Sequence, residues 1–396
     1  MRCNVADNGT ITAFYGDYNY REDGSNGQVM VYQPKFYYQR TPITYVKLAQ
    51  GNSVKKETLI LSDKKKSGFK LHPMFINEDG EEIDYVLLPA YEGSIYDGSN
   101  NSYDLTSTLI IDSVNDKLSS IAGAKPITGD KNEFTITMAE RLARNRGEGW
   151  HITNMAAESV NQMLMMVEFG SLNGQKSLEQ GIVTIPNVEG KNCASLTGST
   201  SEFGNETGVA YTTRNETNGV YTNYSLAGRR AITYRGMENP WGNVWHFIGG
   251  LNIYGQGRDE GGYPYICNNF NYNVDEMTEN YDNIGFKLPG AHSWISGMGY
   301  GDGNYDWVYM PSECSSANSA LPVGDNLWTN PILNGIDCAV VGGTWESEDS
   351  AGPFYYGCDR ATNYYKYSFG AKLMFIPKKN TIYTQNITKW ESKMAG

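Results

Sequence analysis

The sequence predicts an α+β fold in which two helices, small twisted antiparallel sheets and long loops form the main domain. Three observations favour this class. Among 396 residues, 44 are Gly and 29 are Tyr while charged residues make up only 19%, a balance typical of loop-rich globular proteins. Only two segments show the apolar periodicity of helices. The remaining apolar segments are short and separated by turn residues, as the strands of small sheets are.

The chain begins with a polar segment rich in Gly, Asn and Asp. It ends in Asp23-Gly24-Ser25-Asn26-Gly27, which contains two turn signals in five residues. We therefore interpret residues 1–27 as a polar N-terminal docking arm that precedes the domain.

Strand patterns follow the arm. Residues 28–38 alternate toward a strand, and residues 85–91 form a second apolar run. The lysine triplet at 64–66 lies between them and predicts a solvated loop.

Two helices are predicted next. The first covers residues 137–146, with Thr137 as its cap and Glu140 three residues later. The second begins at Asn154 and ends before Gly170. Its apolar residues recur at i, i+3, i+4 and i+7 from Val160, which places them on one face.

The second half predicts loops and short strands. Residues 186–229 are polar with little helical periodicity, so we interpret them as a loop-rich insertion. The strands predicted after it are 231–234, 244–248, 306–310, 338–341 and 372–376. The charged residues 378–396 predict a peripheral C-terminal tail.

Charge and hydropathy exclude several classes of partner. The net charge of -12 and the pI of about 4.9 disfavour attraction to nucleic acid. No apolar stretch approaches the roughly 20 residues that span a bilayer, so we expect no membrane insertion. The first residues lack the apolar run of a secretion signal, which predicts synthesis in the cytoplasm without a signal peptide.

The six cysteines have no zinc-ligand or redox spacing. We expect free thiols, with a disulfide among Cys314, Cys338 and Cys358 as the alternative if the protein ends up outside a cell.

One loop has the composition of a binding surface. Between Gly342-Gly343-Thr344-Trp345 and the apolar closing segment at 368–377, the chain is dense in Tyr, Asn, Asp and Ser. Tyrosine offers a large contact area with few rotatable bonds, and the small polar residues offer adaptable hydrogen bonds. The ligand-binding candidates are Tyr355, Tyr356, Asp359, Arg360, Asn363, Tyr364, Tyr365 and Tyr367, with Trp294, Trp307 and Tyr309 from the preceding region.

Three ordered segments resemble a known fold. They are the run 149–154 (Gly-Trp-His-Ile-Thr-Asn), the run 234–245 (which contains Asn-Pro-Trp-Gly-Asn-Val-Trp) and the closing pair Gly-Gly-Thr-Trp and Phe-Gly-Ala-Lys-Leu. Together they resemble the C-type-lectin-like fold, in the branch of formylglycine-generating-enzyme-like domains and retroelement-variable receptor-binding proteins of tailed phages. The resemblance covers residues 28–377. Runs 30–38, 71–75 and 90–94 are also similar to virion adhesins of tailed phages.

Catalysis is not expected from the residues present. Formylglycine-generating chemistry uses a close pair of cysteines after the Gly-Gly-Ser-Trp element, and here Cys358 stands alone. The four histidines are isolated, and no nucleophile elbow accompanies them. Residues 302–306 look superficially like a calcium loop but lack the later bidentate Glu, so we predict a turn there. The fold family often holds calcium; no ligands are assigned here and no other cofactor is expected.

The resemblance implies a virion protein. We expect a tail or head fibre or adhesin that binds a host cell-surface receptor or glycan through the Tyr/Asn-rich loop. Weak single contacts would gain strength from many copies, which favours a homo-oligomer, a trimer above others. One alternative is a purely structural decoration or fibre protein that binds capsid or tail proteins through the N-terminal arm. The other is a glycan-acting or formylglycine-type enzyme.

Overall fold

The computed structural model describes residues 1–48, 51–212, 216–217, 220–221, 228–316 and 321–379. These residues form mostly β-sheets with three α-helices, which confirms the α+β class in its coarse form. The helices are α1 (Ile136–Arg144), α2 (Met155–Phe169) and α3 (Gly174–Ser177), and single 3-10 turns lie at Pro73–Phe75, Ser201–Phe203, Gly303–Tyr305 and Glu348–Ser350.

The strands of the first half are β1 (Arg2–Val5), β2 (Ile11–Phe14), β3 (Gln28–Pro34), β4 (Tyr37–Leu48), β5 (Gly51–Ser62), β6 (Lys70–Leu71), β7 (Tyr85–Pro89), β8 (Gly93–Asp97), β9 (Ser102–Asp104), β10 (Lys117–Ser120), β11 (Trp150–Ile152), β12 (Gly208–Tyr211), β13 (Glu216–Thr217) and β14 (Val220–Tyr221). Those of the second half are β15 (Arg230–Tyr234), β16 (Met237–Glu238), β17 (Trp245–Gly255), β18 (Gly262–Cys267), β19 (Tyr281–Asn283), β20 (Ala291–Tyr300), β21 (Tyr309–Ser315), β22 (Asn326–Thr329), β23 (Ile336–Gly342), β24 (Gly352–Ala361), β25 (Phe369–Gly370) and β26 (Leu373–Phe375).

The two ends of the described chain share one sheet. Its six strands are ordered β11-β26-β7-β3-β1-β2. Strand β1 pairs with β3 and β2, and Arg2, Cys3 and Val5 are fully buried. The Arg2 guanidinium donates to the Tyr91 hydroxyl and to the Gly236 carbonyl, both far along the chain. The prediction of a docking arm at 1–27 was therefore wrong: polar composition concealed buried side chains whose partners are distant in sequence.

A second sheet is much larger than the small sheets predicted. Its main path is β19-β18-β17-β23-β24-β22-β20-β5-β4-β6, with β21 on β20 and β25 on β17, so that twelve strands take part. Most pairs are antiparallel, whereas β22–β24 and β17–β25 are parallel. Strands β20, β22 and β24 lie side by side, which brings residues 292, 328 and 360 to one region of this sheet.

The two main helices form near where the sequence predicts them. Asn154 caps α2 by accepting a hydrogen bond from the Ala157 N–H, and Gly170 ends it in the left-handed conformation (φ 60°) that glycine adopts without strain. The cap of α1 is Thr135, two residues before the expected Thr137, and its side chain accepts from the Met138 N–H. The sequence did not predict the one-turn helix α3.

A buried polar cluster joins distant parts of the fold. The Glu92 carboxylate accepts hydrogen bonds from the Asn243 and Asn239 amides at 2.6 and 3.2 Å. His246 Nε2 lies 3.5 Å from the other Glu92 oxygen, and Lys372 donates to the Asn239 carbonyl at 2.6 Å. All five side chains are buried. Burial raises the pKa of Glu92 to about 7, while the charge of Lys372 acts to lower it.

The other predicted regions have mixed outcomes. Within 186–229, the described residues include loops, a 3-10 turn and the β12 strand, yet Asn192, Cys193 and Ser195 are buried. Lys64, Lys65 and Lys66 are exposed, as expected for a solvated loop. Most of the predicted tail, 380–396, lies outside the described residues. No helix in the described part of the chain is long and apolar enough to cross a membrane.

Candidate functional site

The predicted Tyr-rich loop is in large part a strand inside the large sheet. Residues 352–361 form β24 between β23 and β22, and Tyr355 and Tyr356 are buried. The Tyr356 hydroxyl accepts from the Gln162 amide at 2.6 Å and lies 3.1 Å from the Tyr309 carbonyl oxygen, to which it donates. Tyr355 packs on Trp245 with ring centroids 4.5 Å apart. Their assignment as ligand-binding residues was wrong, because both side chains are buried against internal partners.

Three further candidates are also core residues. Tyr309 is fully buried beneath the Arg40 guanidinium, which lies 4.2 Å from its ring centroid. Trp307 is buried with its ring 5.8 Å from that of His72. Tyr367 is buried near Trp345, and its hydroxyl donates to Glu189 at 3.0 Å. These three side chains pack in the interior and support the fold, and Trp307 also lines a surface groove.

Cys358 is fully buried, and burial raises the pKa of its thiol well above the ordinary value. Such a thiol holds little thiolate, which is the reactive form in nucleophilic and redox chemistry. All six cysteines are free thiols in this structure.

The remaining candidates gather at an exposed aromatic group on the large sheet. His292 on β20 is directly opposite Trp328 on β22, and their ring centroids are 4.1 Å apart. Trp328 is 40% exposed although it belongs to a central strand of the sheet. Arg360, at the end of the neighbouring β24, places its guanidinium 5.9 Å from the Trp328 ring and 5.6 Å from the Tyr364 ring. We call His292, Trp328, Arg360 and Tyr364 the Trp328 face.

Neighbouring groups set the charge of each ionisable side chain at the Trp328 face. Asp359 Oδ1 lies 3.1 Å from Arg360 Nη1, and burial raises the pKa of Asp359 whereas Arg360 acts to lower it. Burial and the nearby cations Arg360 and Arg258 lower the pKa of His292. His292 is therefore a neutral ring at pH 7, and Arg360 supplies the positive charge of the face.

The six remaining predicted residues lie on or around this face. Arg360 and Tyr364 belong to it, and Asp359 pairs with Arg360. Trp294 lies two residues from His292 on β20, which puts it on the same side of the sheet. Asn363 and Tyr365 are exposed in the segment after β24, Tyr365 by 43%.

Sequence reasoning missed Trp328 and His292. A signal was present in the run 326–329 (Asn-Leu-Trp-Thr), where a strand alternation that buries Leu327 must turn Trp328 outward. The segment was too short to predict as a strand without its partners.

The turn predicted at 302–306 is confirmed. Residues 303–305 form a 3-10 turn, and Asp306 accepts from the Tyr38 hydroxyl at 2.6 Å and from Lys70 at 2.8 Å. Among the residues that the structure describes, no group of three or more His, Cys, Asp or Glu is arranged to hold a metal ion.

Comparisons with known proteins show a weak structural likeness. No protein-family model matches the chain, and no curated protein matches it. Among solved structures, the chain is similar to Major Tropism Determinant U1 Variant, with 12% identity and a TM-score of 0.29 over 95% of this chain and 72% of that one. At this level of similarity the C-type-lectin-like fold stays a prediction.

Proposed function

We propose that this chain is a structural protein of a tailed-phage virion, a fibre or adhesin of the tail or head, that binds a host cell-surface receptor or glycan. The proposal includes a C-type-lectin-like scaffold and a homo-oligomer, with a trimer favoured. The observation that carries the binding role is the exposed His292–Trp328 ring pair beside Arg360. The virion placement rests on the sequence resemblance to tailed-phage adhesins.

The Trp328 face has the chemistry of a recognition surface. Tryptophan, tyrosine and arginine are the residues that most often dominate binding energy at protein interfaces. The sheet beneath fixes their positions, since both flanking strands pair with β22. A rigid aromatic surface loses little conformational entropy when a partner covers it. Many such faces on one particle would convert weak single contacts into firm attachment.

The two alternative functions have less support. The structural decoration role relied on residues 1–27 as a free docking arm, and β1 and β2 are instead strands of a sheet. The formylglycine-type enzyme would need a reactive cysteine pair, and Cys358 is buried with a raised thiol pKa. We therefore propose a binding protein without catalytic activity.

The test is adsorption of fluorescent, multimerised protein to cells of the susceptible host. We expect the wild-type protein to bind and Trp328→Ala to lose most of this binding. Tyr18→Ala is the matched control, because Tyr18 is a 93% exposed aromatic residue in the segment between β2 and β3, two strands of the six-stranded sheet. Absence of wild-type binding would contradict the adhesin role. Equal loss in both variants would contradict the assignment to the Trp328 face.

A further inference from the structure

A groove of about 340 Å³ lies beside Gly249 and Gly250 of β17. Its other walls are the first residues of α2, the segment 266–270, Asp282 of β19 and the turn at 304–307. We call it the Gly250 groove. No residue of the Trp328 face lines it, so it is a separate feature of the surface.

One wall is polar and already organised. The Tyr305 hydroxyl lies 2.6 Å from Asp282 Oδ2 and 2.8 Å from Asn268 Oδ1, and the Asn268 amide donates to Asp282 Oδ2 at 2.7 Å. These contacts orient the three side chains before any ligand arrives. Asp282 and the exposed Asn304 both line the groove, and within the described residues no hydrogen bond is made by the other Asp282 oxygen or by the Asn304 amide.

Aromatic rings form an apolar wall of the groove. Tyr305 and Trp307 line the groove with ring centroids 6.3 Å apart, and Phe270 lines it from the segment after β18. Phe270 and Trp307 are anchored in the core, so that only their edges reach the groove. A ligand there would meet apolar ring surface on one side and hydrogen-bonding groups on the other.

The two glycines that line the groove also make room for the Tyr272 ring against β17. A Cβ atom at Gly249 would lie 2.7 Å from the Tyr272 ring, and one at Gly250 would lie 2.6 Å from it. Without those atoms, Tyr272 packs directly on the strand, where its hydroxyl accepts from the Asn154 amide at 3.1 Å. Asn154 also caps α2, so Tyr272 is tied to a helix and a strand.

The lining selects among ligand classes. No Lys or Arg is among the residues that line the groove, so an anionic sugar or phosphate would lack a counter-charge beside Asp282. A methylated ammonium could make cation–π contacts with the rings, but it would offer no hydrogen-bond partner to the Asn268 and Asn304 amides. A neutral pyranose satisfies both walls, because its C–H face packs on aromatic rings while its hydroxyl groups bond to carboxylate and amide groups. The volume is at the lower end of the roughly 300–1,000 Å³ of ligand pockets.

We propose that the Gly250 groove is a binding site for a neutral mono- or disaccharide, distinct from the Trp328 face. Asp282 and Asn304 bond to sugar hydroxyl groups, and the half-buried ring of Tyr305 packs on the sugar face beside the edge of Trp307. The site does not depend on the proposed attachment role, since it uses different residues.

The experiment is saturation-transfer NMR and calorimetry on the full chain with maltose, cellobiose, lactose and chitobiose as probes. Sialyllactose and choline serve as the anionic and cationic comparators. We expect saturable binding of at least one neutral disaccharide. Asn304→Ala should weaken it at least tenfold, and this exposed position gives a variant that folds. Tyr305→Phe, which keeps the ring and removes the hydroxyl, should weaken it several-fold, and Trp328→Ala should leave it unchanged.

Three results would overturn the proposal. The first is no saturable binding of any neutral disaccharide, and the second is equal or tighter binding of sialyllactose or choline. The third is loss of sugar binding in Trp328→Ala with none in Asn304→Ala, which would move the sugar to the Trp328 face. Failure of cell adsorption with intact sugar binding would contradict the attachment role alone.

Discussion

Glu92→Gln tests the physical account of the buried cluster. Glutamine keeps the shape of the protonated acid and its acceptor for the Asn243 amide, while it cannot ionise. The folded pKa of Glu92, about 7, exceeds its ordinary value of 4.5, so the folded state binds the proton more tightly than the unfolded state. The stabilising contribution of Glu92 is therefore complete below pH 4.5 and is lost as pH rises through 7.

The size of this loss follows from the shift. One pKa unit corresponds to about 1.4 kcal/mol, so a shift from 4.5 to about 7 corresponds to about 3 kcal/mol by pH 8. The variant lacks this loss and should gain up to that amount over the wild type between pH 5 and pH 8. Lys372 loses a partner charge in the variant, which acts in the opposite direction and makes about 3 kcal/mol the upper limit.

Urea unfolding at pH 5 and pH 8 measures the difference for both proteins. For each pH, the free energy of unfolding of the variant is compared with that of the wild type. The change in this difference from pH 5 to pH 8 reports Glu92 together with Glu238 and Lys372, whose charges interact with it. His246 stays neutral throughout, since burial holds its pKa well below the ordinary value. The variant should gain stability relative to the wild type as pH rises from 5 to 8. If the difference in free energy of unfolding between the two proteins stays the same or shifts in favour of the wild type, the raised pKa of Glu92 is contradicted.

Three further predictions concern binding and packing. Trp328→Ala should lower the affinity of the monovalent protein for its receptor by up to about 70-fold. Covering the exposed 40% of a side chain of roughly 250 Å² is worth about 2.5 kcal/mol. Surface plasmon resonance measures the affinity, and an unchanged value would contradict this prediction. Gly250→Ala should lower the free energy of unfolding by about 2–4 kcal/mol, since both its φ of +66° and a ring carbon 2.6 Å away oppose a side chain. Gly80→Ala, with a φ of +75° and open space, should cost only about 1 kcal/mol in the same urea titration, and equal costs would deny the ring contact. Tyr356→Phe should lower the free energy of unfolding by about 1–3 kcal/mol, because it removes a buried hydroxyl that accepts from the Gln162 amide and donates to the Tyr309 carbonyl. Tyr365→Phe, at an exposed position, should change it by no more than about 0.5 kcal/mol. A larger loss for Tyr365→Phe than for Tyr356→Phe in thermal unfolding would contradict the burial of Tyr356.

Local signals predicted the helices well. The α2 cap at Asn154 and its stop at Gly170 depend on residues within a few positions, which sequence displays directly. The strands around residues 231–234 and 338–341 were also visible as short apolar runs. Such features need no knowledge of distant partners.

Long-range pairing explains what sequence could not show. Tyr356 looks like a binding residue by composition, yet its hydroxyl partner Gln162 is 194 positions away. Arg2 looks like part of a polar arm, yet the Thr200 hydroxyl accepts from its guanidinium at 3.1 Å. The type of a side chain limits which contacts are possible. The order of the strands in the sheets determines which of those contacts form.

The central claim is that the Trp328 face contacts the host surface. Hydroxyl-radical footprinting of the multimerised protein, free and bound to envelopes of susceptible cells, tests it at the level of single side chains. Binding should reduce the oxidation of Trp328, His292 and Tyr364 and leave that of Tyr18 unchanged. Unchanged oxidation of Trp328 in protein that is bound to the envelope would contradict it.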